Sequence, residues 1–143
     1  MVVQLSHVGL CVADLERSLR FYVDGLGFEV QETIPCGDEV GPLGEVESPV
    51  EMVAQFIAKD GTRVELLAWP KPGVVGEPSP RRNQIGLTHL AMQVDDIEEV
   101  AGLLVSLGGT VLEDTRCEIH GIKMLVLRDP DGTRVELMKR PPA

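Results

Sequence analysis

Aromatic residues make up only 3% of this chain, with one Trp, one Tyr and three Phe, so its core has to be built from Val, Leu, Ile and Met. Cations are also short. Thirteen Lys and Arg stand against 23 Asp and Glu, a formal net charge of -10. That balance argues against nucleic acid or an anionic membrane surface as a partner, and favours simple solubility. Cysteine is sparse: Cys11, Cys36 and Cys117 are odd in number, widely spaced and form no CxxC, so no disulfide frame is expected. A reducing cytoplasm is the expected setting. No apolar run approaches the roughly 20 residues of a membrane span, and the opening MVVQLSHVGL lacks the basic region and long apolar core of a signal peptide.

What is present is a repeat. Asp60–Leu66 and Asp131–Leu137 both read DGTRVEL. Each is an Asp-Gly turn followed by a short β-branched run with a carboxylate near its end. The chain therefore reads as two copies of one module, each closing on a strand that carries a Glu. At 143 residues it has the size of one ordinary domain, 43% hydrophobic residues can fill a core, and 15 Gly with ten Pro supply turns without a low-complexity tract.

Taken in order, Val2–Val12 alternates as a strand, with Val8, Leu10 and Val12 on one face and Leu5, His7, Gly9 and Cys11 on the other. Asp14 is placed to cap a helix whose stripe is Leu15, Leu19, Tyr22 and Leu26, stopped by Gly25 and Gly27. Phe28–Thr33 reads as a second strand. Ile34–Pro49, rich in Gly, Pro and acid, reads as a long loop, a lid or a disordered segment. Met52–Ala58 and Thr62–Trp69 read as a hairpin. Pro70–Gln84 reads as a linker whose Arg81 and Arg82 are solvated, with contact to an anionic ligand as the alternative. The order then returns: a strand over Gly86–Val94, Asp96 with Glu99 as a capping box, a helix stripe of Ile97, Val100, Ala101, Leu104 and Leu107, a short strand Thr110–Glu113, a loop Asp114–Gly121 holding His120, and a closing hairpin of Ile122–Leu127 with Thr133–Lys139. The fold class expected from this order is α+β, two tandem βαβββ modules. Residues 1–70 are the first module, 71–84 a linker and 85–143 the second module of one structural domain.

The repeat carries ligand-type residues at both ends. His7 and His89 are 82 residues apart, as are Asp14 and Asp96, while Glu65 and Glu136 are 71 apart. The first module is 11 residues longer between its His and its Glu, and the 34–49 loop has room for all of them. In each strand the face opposite the His or Glu is the more uniformly apolar, so the His and Glu point away from the helices. If that side is concave, two modules converge two imidazoles and two carboxylates. Such a set suits a borderline divalent ion better than a structural zinc, and leaves positions open for water or substrate. An ion with open positions polarises a carbonyl and stabilises an enediolate. His120 has no counterpart in the first module and reads as a loop residue, with the role of auxiliary acid or base as the alternative.

HVGLCVADLERSLRFYVDGLGF in the first module, with THLAMQVDDIEE and RDPDGTRVEL in the second, resembles the vicinal oxygen chelate superfamily, which includes glyoxalase I, methylmalonyl-CoA epimerase, extradiol dioxygenases and the fosfomycin and bleomycin resistance proteins. The resemblance spans nearly the whole chain and implies that the curved mixed sheets of the two βαβββ modules form a metal-centred cleft. It implies that His7, Glu65, His89 and Glu136 hold one divalent metal ion per site (Ni, Co, Mn, Fe or Zn), a set that looks like glyoxalase I; methylmalonyl-CoA epimerases often carry Gln where Glu65 stands. It implies a lyase or isomerase acting on a small α-oxygenated carbonyl compound, with Glu136 as the proton shuttle and Glu65 as ligand or second base. It also implies a homodimer. Two alternatives stand beside this. One is a binding or sequestering protein of the same fold without turnover, although the bleomycin-binding relatives use an aromatic-rich groove and this chain has a single Trp, Trp69. The other is an iron-dependent ring-cleaving dioxygenase, which uses two His and one Glu.

Overall fold

The crossover helix of each half starts at an Asp, and each sheet closes on the repeated heptad. The computed structural model describes residues 1–143, whose contacts divide into two units, Met1–Val75 and Gly76–Ala143. Unit one contains β1 (Val8–Val12), α1 (Leu15–Leu19), β2 (Glu29–Cys36), a 3₁₀ turn (Asp38–Val40), the short helix α2 (Gly41–Gly44), β3 (Glu51–Lys59) and β4 (Thr62–Lys71). Its sheet runs β1-β4-β3-β2, with β1 parallel to β4 and the other pairs antiparallel. Unit two contains β5 (His89–Gln93), α3 (Ile97–Ser106), β6 (Thr110–Ile119), β7 (Ile122–Arg128) and β8 (Arg134–Lys139), in the order β5-β8-β7-β6 with β5 parallel to β8. Each unit is thus a βαβββ module with a four-stranded mixed sheet. The first and second strands of each module run parallel at opposite edges of the sheet, and the helix between them supplies the crossover that requires.

The helices form where the capping residues place them. The Asp14 carboxylate accepts from the Arg17 amide at 3.0 Å and the Asp96 carboxylate from the Glu99 amide at 3.0 Å. Beyond α1 the chain widens into a π-helical turn over Arg20–Gly25, with the Leu26 amide reaching the Phe21 carbonyl at 3.2 Å. This rotates the buried face: Ser18, Phe21 and Tyr22 are fully enclosed, while Leu15 and Leu19 are half-buried. In α3 the expected stripe holds, with Ile97, Ala101 and Leu104 buried. Each helix covers the apolar face of its own sheet, α1 on β4 and α3 on β6, β7 and β8. Val64 and Leu66 in unit one, and Leu125, Leu127, Val135 and Leu137 in unit two, are at most 1% exposed. Each such side chain contributes roughly 1.5–3 kcal/mol by leaving water.

Several boundaries differ from the sequence reading. The first strand begins at Val8 rather than Val2, because residues 1–7 find no partner strand and lie exposed. β2 runs on to Cys36 and β6 to Ile119, well past Thr33 and Glu113. Both extensions cross a bulge that alternation alone cannot signal, between Val30 and Thr33 in β2 and between Leu112 and Cys117 in β6. A side chain from within each sheet satisfies the backbone there. The Gln55 amide donates to the carbonyls of Gln31 and Glu32, at 3.5 and 3.2 Å, and its oxygen accepts from the Thr33 hydroxyl at 2.6 Å. The Thr115 hydroxyl donates to the Leu112 carbonyl at 2.6 Å and accepts from the Val126 amide at 2.9 Å. The expected Asp114–Gly121 loop shrinks to the tight turn His120-Gly121, both with positive φ (52° and 79°), as a two-residue hairpin turn requires.

The Asp96 cap carries a pH dependence. Its carboxyl lies below the ordinary value, chiefly because the Glu99 amide bonds the ionised form. A depressed folded-state pKa stabilises above the unfolded value and is lost as pH falls through the folded one. Asp96→Ala should therefore lower the melting temperature at pH 7, and the gap to wild type should narrow below about pH 4. Circular-dichroism melts across that range check it, and a gap unchanged by acid would refute it.

Candidate functional site

In unit one, His7 stands just ahead of β1, and Gly9 two residues later pairs in register with Glu65 on β4. The His7 Nε2 lies 3.8 Å from a Glu65 carboxylate oxygen. Two contacts hold the ring. Its Nδ1 is hydrogen-bonded to the Ser6 hydroxyl at 2.9 Å, and it sits edge-on to Phe56, with centroids 5.1 Å apart and planes at 89°. Phe56 pairs in register with Glu65. The Arg63 guanidinium lies over the Phe56 ring, 4.4 Å from its centroid, and Arg63 also donates to Gln31 at 2.9 Å and pairs with Glu32 at 3.4 Å.

Unit two repeats this geometry. His89 opens β5, Ala91 pairs with Glu136 on β8, and the His89 Nε2 is 3.8 Å from the Glu136 carboxylate. The Thr88 hydroxyl bonds Nδ1 at 2.6 Å, as Ser6 does for His7. One residue is new. Arg82 donates from a single nitrogen both to the Glu136 carboxylate and, at 3.2 Å, to the His89 Nε2. A guanidinium can only donate, so the His89 Nε2 is the acceptor nitrogen and Nδ1 carries the proton, given to Thr88. That is the tautomer of a metal-ligating histidine, with its second nitrogen anchored by an oxygen.

The 34–49 segment is an ordered cover. The Asp38 carboxylate accepts from the Val50 amide at 2.7 Å, and Val40, Val46 and Val50 pack on Met52, Ala54, Phe56, Leu67 and Trp69. These sheet residues share the face of Glu65, so the extra length of the first module roofs part of that face with apolar side chains. The roof fits closely: a methyl group added at Gly44 would lie 2.5 Å from the Trp69 ring.

The four residues singled out from the sequence thus form two pairs, His7 with Glu65 and His89 with Glu136. Neither unit on its own gathers three or more His, Cys, Asp or Glu side chains at a common point. His120 is exposed in its hairpin turn. Arg82, read from sequence as solvated, is instead in the site. It lies in the proline-rich stretch, where no repeat offers a counterpart to compare. Ser6 and Thr88 were also missed, although a signal was there: both hydroxyls stand one place before the repeated His.

Comparison with known proteins agrees with this architecture. Residues 4–137 match the family model described as Glyoxalase/Bleomycin resistance protein/Dioxygenase superfamily. The ethylmalonyl-CoA/methylmalonyl-CoA epimerase of Cereibacter sphaeroides is 31% identical, over 96% of this chain and 98% of that protein. A glyoxalase family protein from Bacillus cereus superposes with a TM-score of 0.84 at 16% identity, covering 99% of this chain and 97% of that one. The fosfomycin resistance protein FosX of Listeria monocytogenes, solved with Mn(II) and sulfate, gives a TM-score of 0.62 at 19% identity, covering 99% and 95%. Proteins similar to this chain thus include epimerases, a lactoylglutathione lyase, a dioxygenase and fosfomycin resistance proteins.

The Gly44–Trp69 contact makes the roof testable. Gly44→Ala should shift the emission of Trp69, the sole tryptophan, and cost about 1–3 kcal/mol by overpacking. Fluorescence spectra and urea titrations measure both, and an unchanged spectrum with unchanged stability would mean the roof does not rest on the ring.

Proposed function

Because the chain belongs to the glyoxalase/bleomycin resistance protein/dioxygenase superfamily, we propose that it is a metal-dependent lyase or isomerase acting on a small α-oxygenated carbonyl compound. The observation that carries this is the matched pair in each unit: an imidazole anchored at Nδ1 by the preceding hydroxyl, with Nε2 facing a carboxylate 3.8 Å away. Imidazole and carboxylate together suit a borderline divalent ion such as Ni, Co, Mn, Fe or Zn. Each pair supplies two donors, so His7, Glu65, His89 and Glu136 would together hold one ion. When bound, the ion supplies Lewis acidity at the substrate's carbonyl oxygen. Glu136, 7% exposed, is the carboxylate assigned to move a proton at the carbon beside that carbonyl, with Glu65 as the second. We place the protein in the cytoplasm, as a homodimer; a monomer mass by light scattering at micromolar concentration would remove the dimer.

A second reading, a binding protein without turnover, is favoured by Arg82, which already neutralises Glu136. One experiment separates the two. Protein purified without chelators should carry about one divalent ion per four donors, and His7→Ala with His89→Ala should lose most of it. In the same titrations Arg82→Ala, which removes a competing cation, should tighten metal binding by about tenfold. Turnover is then tried on 2-oxoaldehyde hemithioacetals and on acyl-CoA epimers. At saturating metal, Glu136→Gln should lower it by about 10²–10⁴, with a smaller effect from Glu65→Gln. Full metal content in the double His variant would overturn the proposal. An organic ligand bound by protein with no metal affinity would establish the second reading.

A further inference from the structure

We propose that Arg134 and Arg128, beside the His89–Glu136 pair, form a subsite for an anionic group of the substrate, a carboxylate or a phosphate. The two copies of the heptad carry the argument. Arg63 and Arg134 hold the same place in the repeat, two residues before the Glu and on its side of the sheet. Arg63 is fully provided for: it lies over Phe56, donates to Gln31 and pairs with Glu32, and the residue opposite it on β3 is Ala58. Arg134 is more buried, 6% exposed, and has no such partners. Its register neighbour on β7 is Arg128, and on β5 it is His89. The row across the sheet therefore reads His89, Arg134, Arg128, Thr110.

Two guanidiniums directly opposite each other destabilise a sheet, and burying one without a counter-ion costs more. Glu136, on the same face, is already balanced by Arg82. Arg128 is steadied by donating to the Gly132 carbonyl at 2.9 Å, through one of its several N–H groups. Glu77, Asp129 and Asp131 also line the cleft beside Arg128, so what an oxyanion would complete is the Arg134–Arg128 pair itself, two guanidiniums in register on one face. The inference names the substrate class of the site proposed above and rests on that reading for its chemistry, but the binding itself needs no metal.

The test uses chelator-treated full-length protein at constant ionic strength, titrated by calorimetry with inorganic phosphate and, separately, with succinate. At least one should bind saturably, and which one identifies the oxyanion. Arg134→Met and Arg128→Gln should each weaken that binding by about tenfold, the worth of a charge-assisted hydrogen bond. Without anion, Arg134→Met should melt no lower than wild type, since it relieves an unbalanced buried charge. If that variant does not fold, Arg128→Gln, on a half-buried residue, carries the test alone. No saturable binding of either anion, or equal binding in wild type and both variants, would overturn the subsite. Failure of metal binding with anion binding intact would instead remove the proposed reaction and leave the subsite standing.

Discussion

Everything at the site depends on the parallel pairing of the first strand of each module with its last. That register sets Gly9 against Glu65 and Ala91 against Glu136, and so puts each His diagonally across from its Glu. With the first strand parallel to the second at the far edge, the chain crosses over through a helix, which explains the Asp caps and the apolar faces beneath α1 and α3. A register slip by one residue would turn each Glu toward its helix and bury a carboxylate among Val and Leu. The buried row of Val64, Leu66, Val135 and Leu137 therefore guards the position of the polar side chains as much as it stabilises the fold.

Much of this was legible in the sequence because a repeat is a built-in control. A lone His or Glu on a strand carries little information, but His7 with His89 and Glu65 with Glu136 test one another. The fold class and the caps followed from period and capping chemistry. What escaped notice has physical causes. The length of β2 and β6 was hidden by bulges, which break alternation while Gln55 and Thr115 repair the hydrogen bonding. Arg82 escaped because a side chain reaching back from a proline-rich stretch leaves no periodic trace. The difference between Arg63 and Arg134 depends on the strand opposite, which no local pattern records.

That difference shows how duplication diversifies a module. One heptad, DGTRVEL, has two environments: Phe56 and Ala58 face it in unit one, Val126 and Arg128 in unit two. The first copy spends its arginine on packing, under a roof formed by the longer 37–50 segment. The second leaves its arginine beside another cation. The backbone is nearly the same, and the neighbours decide the chemistry.

The bulges also bear on how this molecule behaves among copies of itself. An open sheet ends in strands whose outer amides and carbonyls are unpaired, and a flat, greasy edge recruits a neighbour. In each unit one such edge is the bulged strand, β2 or β6. β2 adds Glu29, Glu32 and Pro35, and β6 adds Glu113, Asp114 and Glu118. Kinked and acidic, these margins are poor templates for cross-strand aggregation, so five of the chain's 23 carboxylates sit where they discourage fibril-like growth.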